Sequence, residues 1–300
     1  MNNFYDIKPG NILCPVDFSD LSGLAIKYAA ADAHLYGAKL VLMNAEVFEL
    51  PRYFSGSEAD RLTGEIIKNK EMVRKELADY FLKILGKGAE DIDADFKIMD
   101  TDPRDAILQT VEKNSIGLVV MGTHGFTGLS HLLLGSVAES VIHNIRVPVF
   151  TVRQKSHDFI DVTDPDALPH LEKVLCACEI DKDDRETLAY AVSVSERFNA
   201  RLKIVYSNES RDVKDFSMVR ERVCSWISEI AKTQCNLEPV VRKGNAADQI
   251  IALAKEEKSD LIVIGAHHRP FHGAMILGRT TDLVVRHAPA PVLVVPGHND

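Results

Sequence analysis

LVVMGTHG at 118–125 is an unbroken apolar run ending in a glycine-rich turn, and LIVIGAHH at 261–268 repeats it 143 residues later. Apolar residues without alternation mark a strand whose sheet is covered by helices on both faces. The same shift pairs Gly135 with Gly278 and Pro148-Val149 with Pro291-Val292. Towards the N-terminus, NILCPVDFSD at 11–20 is matched by KVLCACEIDK at 173–182, now shifted by 162. That shift also aligns Tyr28 with Tyr190, Ala38 with Ala200 and Leu40 with Leu202. One unit has been duplicated. The 19-residue change of shift means that the first copy carries a longer middle segment, between about 46 and 95. Between the copies, QKSHDFIDVTDPDALPH is polar, with two prolines and several aspartates, and reads as a linker. The expected organisation is a first domain at 1–154, a linker at 155–171 and a second domain at 172–300. A length of 300 residues suits two domains.

Strands and helices alternate in each copy. The first is expected to run strand 11–16, helix 20–36, strand 39–45, a long charged helix at roughly 57–85, strand 93–99, helix 103–114, strand 117–121, helix 136–144 and strand 148–152. The second shows matching pieces at 173–178, 183–198, 201–207, about 214–233, 238–242, 246–257, 260–264, 280–287 and 291–295. The expected fold class is α/β, with two tandem doubly wound domains, each a mainly parallel five-stranded sheet flanked by helices.

Composition narrows the function. The formal net charge of -9 disfavours nucleic acid or an anionic membrane surface as partner. A mononucleotide stays open, because backbone amides can hold it without a basic patch. The N-terminal MNNFYDIKPG lacks the pattern of a secretory signal, and no apolar run approaches the length of a membrane span. Five cysteines, Cys14, Cys176, Cys178, Cys224 and Cys235, are too few and odd in number for a disulfide framework. Cys176 and Cys178 share one sheet face and read as buried thiols in a reducing cytosol, so a cytoplasmic location is expected.

In doubly wound sheets ligands sit beyond the carboxyl ends of the strands. After the first strand come Pro15, Val16 and Asp17, with Ser19 close behind. A carboxylate there can accept hydrogen bonds from ribose hydroxyls, or it can simply hold a turn or cap a helix. After the fourth strand come Gly122, Thr123, His124 and Gly125, then nine residues, then Gly135-Ser136. Glycine allows a ligand to approach the chain closely. Ser136 to Glu139 fits a capping box at the start of the next helix, and the amides and dipole there favour a phosphate. The lysine of a Walker A loop is missing, so phosphate would be held by amides and hydroxyls. Magnesium is a candidate companion, although no acidic cluster for it is evident.

The whole pattern resembles the universal stress protein family in its tandem form. That family's ATP-binding subgroup carries G-x2-G-x9-G-[ST], matched by Gly122, Gly125, Gly135 and Ser136. The stretch 136–152, SVAESVIHNIRVPVFTV, is similar to the family's closing helix and strand. The resemblance implies a fold like that of the adenine nucleotide alpha hydrolases and a site for ATP, or for AMP or ADP. It implies that Asp17 binds ribose, that Pro15 and Val16 border adenine, and that the backbone near Ala45 completes the adenine pocket. Met121 to Gly125, including Gly122, Thr123 and His124, would run beside ribose and phosphates, and Gly135, Ser136 and Val137 would cradle the phosphates. It also implies that the last strands, PVFTV and PVLVV, pair with each other as an intrachain pseudo-dimer, with a homodimer left open.

The second copy departs from the motif. Glu179 stands for Asp17, His268 for the second glycine and Arg279 for the serine, so weak or absent ATP binding is expected there. His267, His268 and His272 match no usual zinc spacing and are read as no metal site. The leading functional expectation is an ATP-binding stress-response regulator or sensor that also meets an unidentified protein partner. The alternatives are a slow ATP hydrolase, for which only His124 and Asp17 are candidates, and an interaction scaffold with an incidental pocket. The long helix at 57–85 carries charges that mark a solvated face, and the stretch before it, LPRYFSGSEAD, is read as a lid.

Overall fold

Asn11–Pro15 form β1, and the chain then turns into α1, Asp20–Tyr36, for local reasons. Ser19 caps the helix, its side chain accepting from the Ser22 amide at 3.2 Å, and Gly37 ends it in the left-handed conformation with φ 61°. The first copy continues through β2 (Lys39–Ala45), α2 (Gly56–Leu85), a short 3-10 turn, β3 (Ala94–Met99), α3 (Pro103–Lys113), β4 (Ile116–Gly122), α4 (Ser136–Asn144) and β5 (Val149–Val152). The second runs β6 (Lys173–Ala177), α5 (Arg185–Phe198), β7 (Arg201–Asn208), β8 (Leu237–Lys243), α6 (Ala246–Glu257), β9 (Leu261–Ala266), β10 (His268–Phe271), β11 (Ala274–Leu277), α7 (Arg279–His287) and β12 (Val292–Pro296). The structure, a computed structural model, describes residues 9–47, 56–124, 134–153, 170–179, 184–208, 221, 225, 237–266, 268–271 and 274–297. Gly125, most of the linker and of the expected helix at 214–233, much of the expected lid, His267, His272, Cys224 and Cys235 lie outside those residues.

The strands form one ten-stranded sheet in the order β3-β2-β1-β4-β5-β12-β9-β6-β7-β8. Neighbours are parallel except at the centre, where β5 and β12 run antiparallel with Phe150 opposite Leu293. The expected pairing of closing strands therefore exists within the chain, and the Thr151 hydroxyl adds a bond to the Val292 carbonyl at 3.0 Å. Successive strand residues point to opposite faces, so Ile12 and Leu13 feed two separate cores. Each core continues across the β5–β12 junction: Tyr28, Phe150 and Leu293 lie on one face, and Val141, Val285 and Val292 on the other. On that second face Arg286 of α7 reaches Glu139 of α4 at 3.3 Å.

One element differs from expectation. The hairpin of β10 and β11 was not foreseen, because a histidine, proline and glycine-rich stretch reads as a loop. Helix α2 is the expected charged helix, and near its C-terminal end it buries Leu77, Phe81 and Leu85. Lys70 meets Asp100, just past the end of β3, at 3.2 Å. Ile67 and Met72 are exposed on this helix among its charges.

Candidate functional site at the carboxyl ends of the first sheet

The carboxyl ends of β1, β2 and β4, with the starts of α3 and α4, enclose a cavity of about 310 Å³. Pro15, Val16 and Asp17 enter from β1, Ala45 from β2, Met121 and Gly122 from β4, His124 from the following loop, and Gly135, Ser136 and Val137 from α4. The structure thus brings together the site residues expected from sequence, apart from Gly125. Thr123, within the expected loop, lines it too, and so do residues that the sequence reading missed: Ser22, Met43, Asn44, Pro103, Ile107 and Ala138. The signal for most of them was present, since each stands at a strand end or in the first turns of the helix that follows.

Asp17 serves the turn as well as the cavity. Its Oδ1 accepts from the Ser19 amide at 3.1 Å and from the Ser19 hydroxyl at 2.6 Å, while Phe18 takes a φ of 63°. The alternative turn role is therefore real, and it fixes an exposed carboxylate at the cavity edge. The turn is braced from β2, where Asn44 Nδ2 donates to the Val16 carbonyl at 2.8 Å.

The start of α4 corrects one expectation. The N-cap is Gly135, not Ser136, and no side chain caps the helix. Ser136 is already the first helical residue, so the capping box does not form, and Glu139 is engaged by Arg286. The first amides of a helix have no carbonyl partner within it. Here they open into the cavity with a helix dipole behind them. The Gly135 amide donates to the Thr123 carbonyl at 2.7 Å, which draws the end of β4 against the helix. A β-carbon on Gly135 would meet that carbonyl oxygen at 3.2 Å, and one on Gly122 would meet Leu21 at 2.9 Å. His124 is half-buried, with Nδ1 at 2.8 Å from the Thr123 hydroxyl. Among the described lining residues Asp17 and His124 are the titratable ones, and there is no lysine or arginine.

The universal stress protein family pattern matches residues 9–153 and 227–296. The chain belongs to the universal stress protein family. A universal stress protein of Mycobacterium tuberculosis is 22% identical over 300 residues, spanning 94% of this chain and 95% of that protein. The crystal structure of a universal stress protein from Archaeoglobus fulgidus aligns with a TM-score of 0.67 at 24% identity, covering 95% of this chain and 98% of that one, a likeness of fold. A universal stress protein solved in complex with cAMP aligns over 49% of this chain and 98% of its own, at 23% identity and a TM-score of 0.34.

This universal stress protein repeats the cavity in its second copy, at about 120 Å³. Cys178, Glu179, Asp184, Tyr206, Gly265, Gly278 and Arg279 line it. Gly278 caps α7 without a side chain, as Gly135 caps α4. Cys176 and Cys178 are both buried, their sulfurs 3.2 Å apart, and the neighbouring Cys176 together with burial pushes the Cys178 thiol well up. No helix among the described residues is long and apolar enough to cross a membrane.

Proposed function

We propose that the first domain binds ATP, or the related AMP or ADP, and that occupancy regulates recognition of a protein partner in a stress response. The observation that carries this reading is the uncapped start of α4 at Gly135, opening into a cavity with apolar walls. The amides of Ser136 and Val137 hold the phosphates, aided by the Ser136 hydroxyl and the helix dipole. Val16, with Met43, Ile107 and Met121, offers an apolar bed for the base. Asp17, held at the edge by Ser19, accepts from the ribose hydroxyls. Without a lysine or arginine in the described lining, phosphate charge is left to amides and to any Mg2+ that the nucleotide carries.

Calorimetry of the intact chain with ATP, ADP, AMP and inorganic phosphate tests the reading. One nucleotide bound per chain, with phosphate alone far weaker, supports it. No heat with any adenine nucleotide at millimolar concentration would sink it. Mass spectrometry of the freshly purified chain adds a second readout: ATP in the pocket agrees with a sensor, and AMP or ADP alone points to turnover.

A further inference from the structure

A third cavity, of about 240 Å³, lies between α1 and α5 over the junction of β5 and β12. It shares no lining residue with the two pockets at the strand ends. Its walls include the rings of Tyr36, Phe150, Tyr190 and Phe198, with aliphatic Leu293 between them. Set into these walls is the carboxyl of Asp32, half-buried on α1, which makes no hydrogen bond or ion pair among the described residues. Among the described residues the other charged groups lining the cavity are Glu186 on α5 and Arg146 ahead of β5, the latter exposed. Two carboxyls thus face one guanidinium, and the described lining has an acidic balance.

We propose that this interdomain cavity binds a small organic cation, its ammonium paired with Asp32 and its apolar body laid against the rings of Tyr36, Phe150, Tyr190 and Phe198. The acidic balance of the described lining disfavours an anion. A hard metal ion is disfavoured too, because the carboxyls of the described lining, Asp32 and Glu186, fall short of the six to eight oxygens that calcium takes or the octahedral shell of magnesium. An ammonium needs less: one carboxylate for a charge-assisted bond and ring faces for the remaining surface. One of these rings already meets a cation: the Arg197 guanidinium rests 4.5 Å from the centre of the Tyr36 ring. Size sets the ligand class. The cavity falls below the range of roughly 300 to 1,000 Å³ typical of drug-sized ligands, which points to a compact arylalkylamine or branched alkylamine. The acidic groups agree with the geometry. Burial pushes the Asp32 carboxyl up to about 7, as expected of a carboxyl in apolar surroundings with no cation beside it. Burial, and then the nearby Glu186 carboxylate, pushes the Tyr190 phenol up to about 12.

The test is calorimetry of the intact chain with 2-phenylethylamine, compared with two probes of similar shape, neutral 2-phenylethanol and anionic 3-phenylpropanoate. At pH 8 the amine is expected to bind saturably, and the alcohol and acid at least tenfold more weakly. At pH 6 the amine keeps its charge while Asp32 is largely protonated, so amine affinity falls roughly tenfold. Asp32→Asn brings the amine down to the level of the alcohol, with a thermal melt confirming that the variant is folded. Equal binding of amine and alcohol, amine binding unchanged in Asp32→Asn, or no saturable amine binding at 20 mM would each overturn the proposal.

Discussion

The two pockets at the strand ends are the same place built twice, and they differ in how much room the side chains leave. The backbone agrees: each lies beyond parallel strands, against a helix capped by a bare glycine, Gly135 in one copy and Gly278 in the other. The repeat sets Val16 against Cys178, Asp17 against Glu179, Ser22 against Asp184, Asn44 against Tyr206 and Ser136 against Arg279. The cavity shrinks from about 310 to about 120 Å³. In the second copy polar groups are also consumed internally. Asp184 accepts from the Thr187 hydroxyl and from the Glu179 amide, and it sits so close to Gly265 that a β-carbon there would meet its oxygen at 2.9 Å. Thr281, in place of Ala138, donates to the Gly265 carbonyl at 2.8 Å. The fold alone supplies helix amides at this position; substitutions around them decide whether a phosphate-bearing ligand can reach them.

The strongest way to break that comparison is to add bulk at the helix starts. Gly135→Val places branched carbon where even one β-carbon meets the Thr123 carbonyl at 3.2 Å. ATP affinity measured by calorimetry is expected to fall at least 100-fold, with the fold checked by thermal melting. The matched change Gly278→Val is expected to leave ATP affinity within twofold. Equal losses from the two variants would mean that the second pocket takes part in binding. A smaller effect is expected at the carboxylates. Asp17→Asn weakens ATP by roughly tenfold, the order of a lost charge-assisted hydrogen bond, whereas Glu179→Gln leaves it unchanged. A larger loss with adenine than with nucleoside would contradict a ribose role.

Much of this contrast is legible in the sequence. Continuous apolar runs such as LVVM mark the parallel strands, and Gly135 and Gly278, paired by the 143-residue shift, mark both helix starts. What sequence could not resolve was which residue caps α4. Ser136 is chemically the better cap, but the chain turns one residue earlier, where Gly135 bonds to Thr123 across the loop. That contact links positions brought together only by the β4 register. The interdomain cavity was hidden for the same reason. Asp32 sits in AAADAHLY and reads as one polar residue on a small-residue helix. Its surroundings come from α5, more than 150 residues away in the chain, and from the antiparallel seam of β5 and β12.

A graft sharpens the comparison from the other direction. Restoring the first copy's residues in the second, through Asp184→Ser together with Arg279→Ser, removes the internal carboxylate and the bulk at the start of α7. ATP stoichiometry is expected to rise from one to two per chain, the new site being weak, in the millimolar range. Tyr206 and Glu179 still narrow it. If stoichiometry stays at one in a folded variant, the carboxylate and the arginine are not what closes the second pocket, and attention passes to Tyr206 in place of Asn44.

The smallest effect expected concerns stability, and it extends the comparison to the junction. The repeat places Val194 of α5 where α1 carries Asp32, and both line the interdomain cavity. A carboxyl pushed up to about 7 in the folded chain stays protonated there, while in the unfolded chain it ionises near its ordinary value of about 4. Between those values the unfolded state releases its proton and the folded state keeps it. Asp32 therefore costs nothing below about pH 4, costs progressively more up to pH 7, and costs a constant amount above. Asp32→Val copies the second copy's residue and removes that pH-dependent cost. Against wild type, urea unfolding should show the variant gaining about 1–2 kcal/mol more at pH 8 than at pH 4, an amount reduced from the full shift because Asp32 keeps some contact with solvent. An equal difference at both pH values would mean that the Asp32 carboxyl is not desolvated by the junction, and that the two copies meet there without an electrostatic asymmetry.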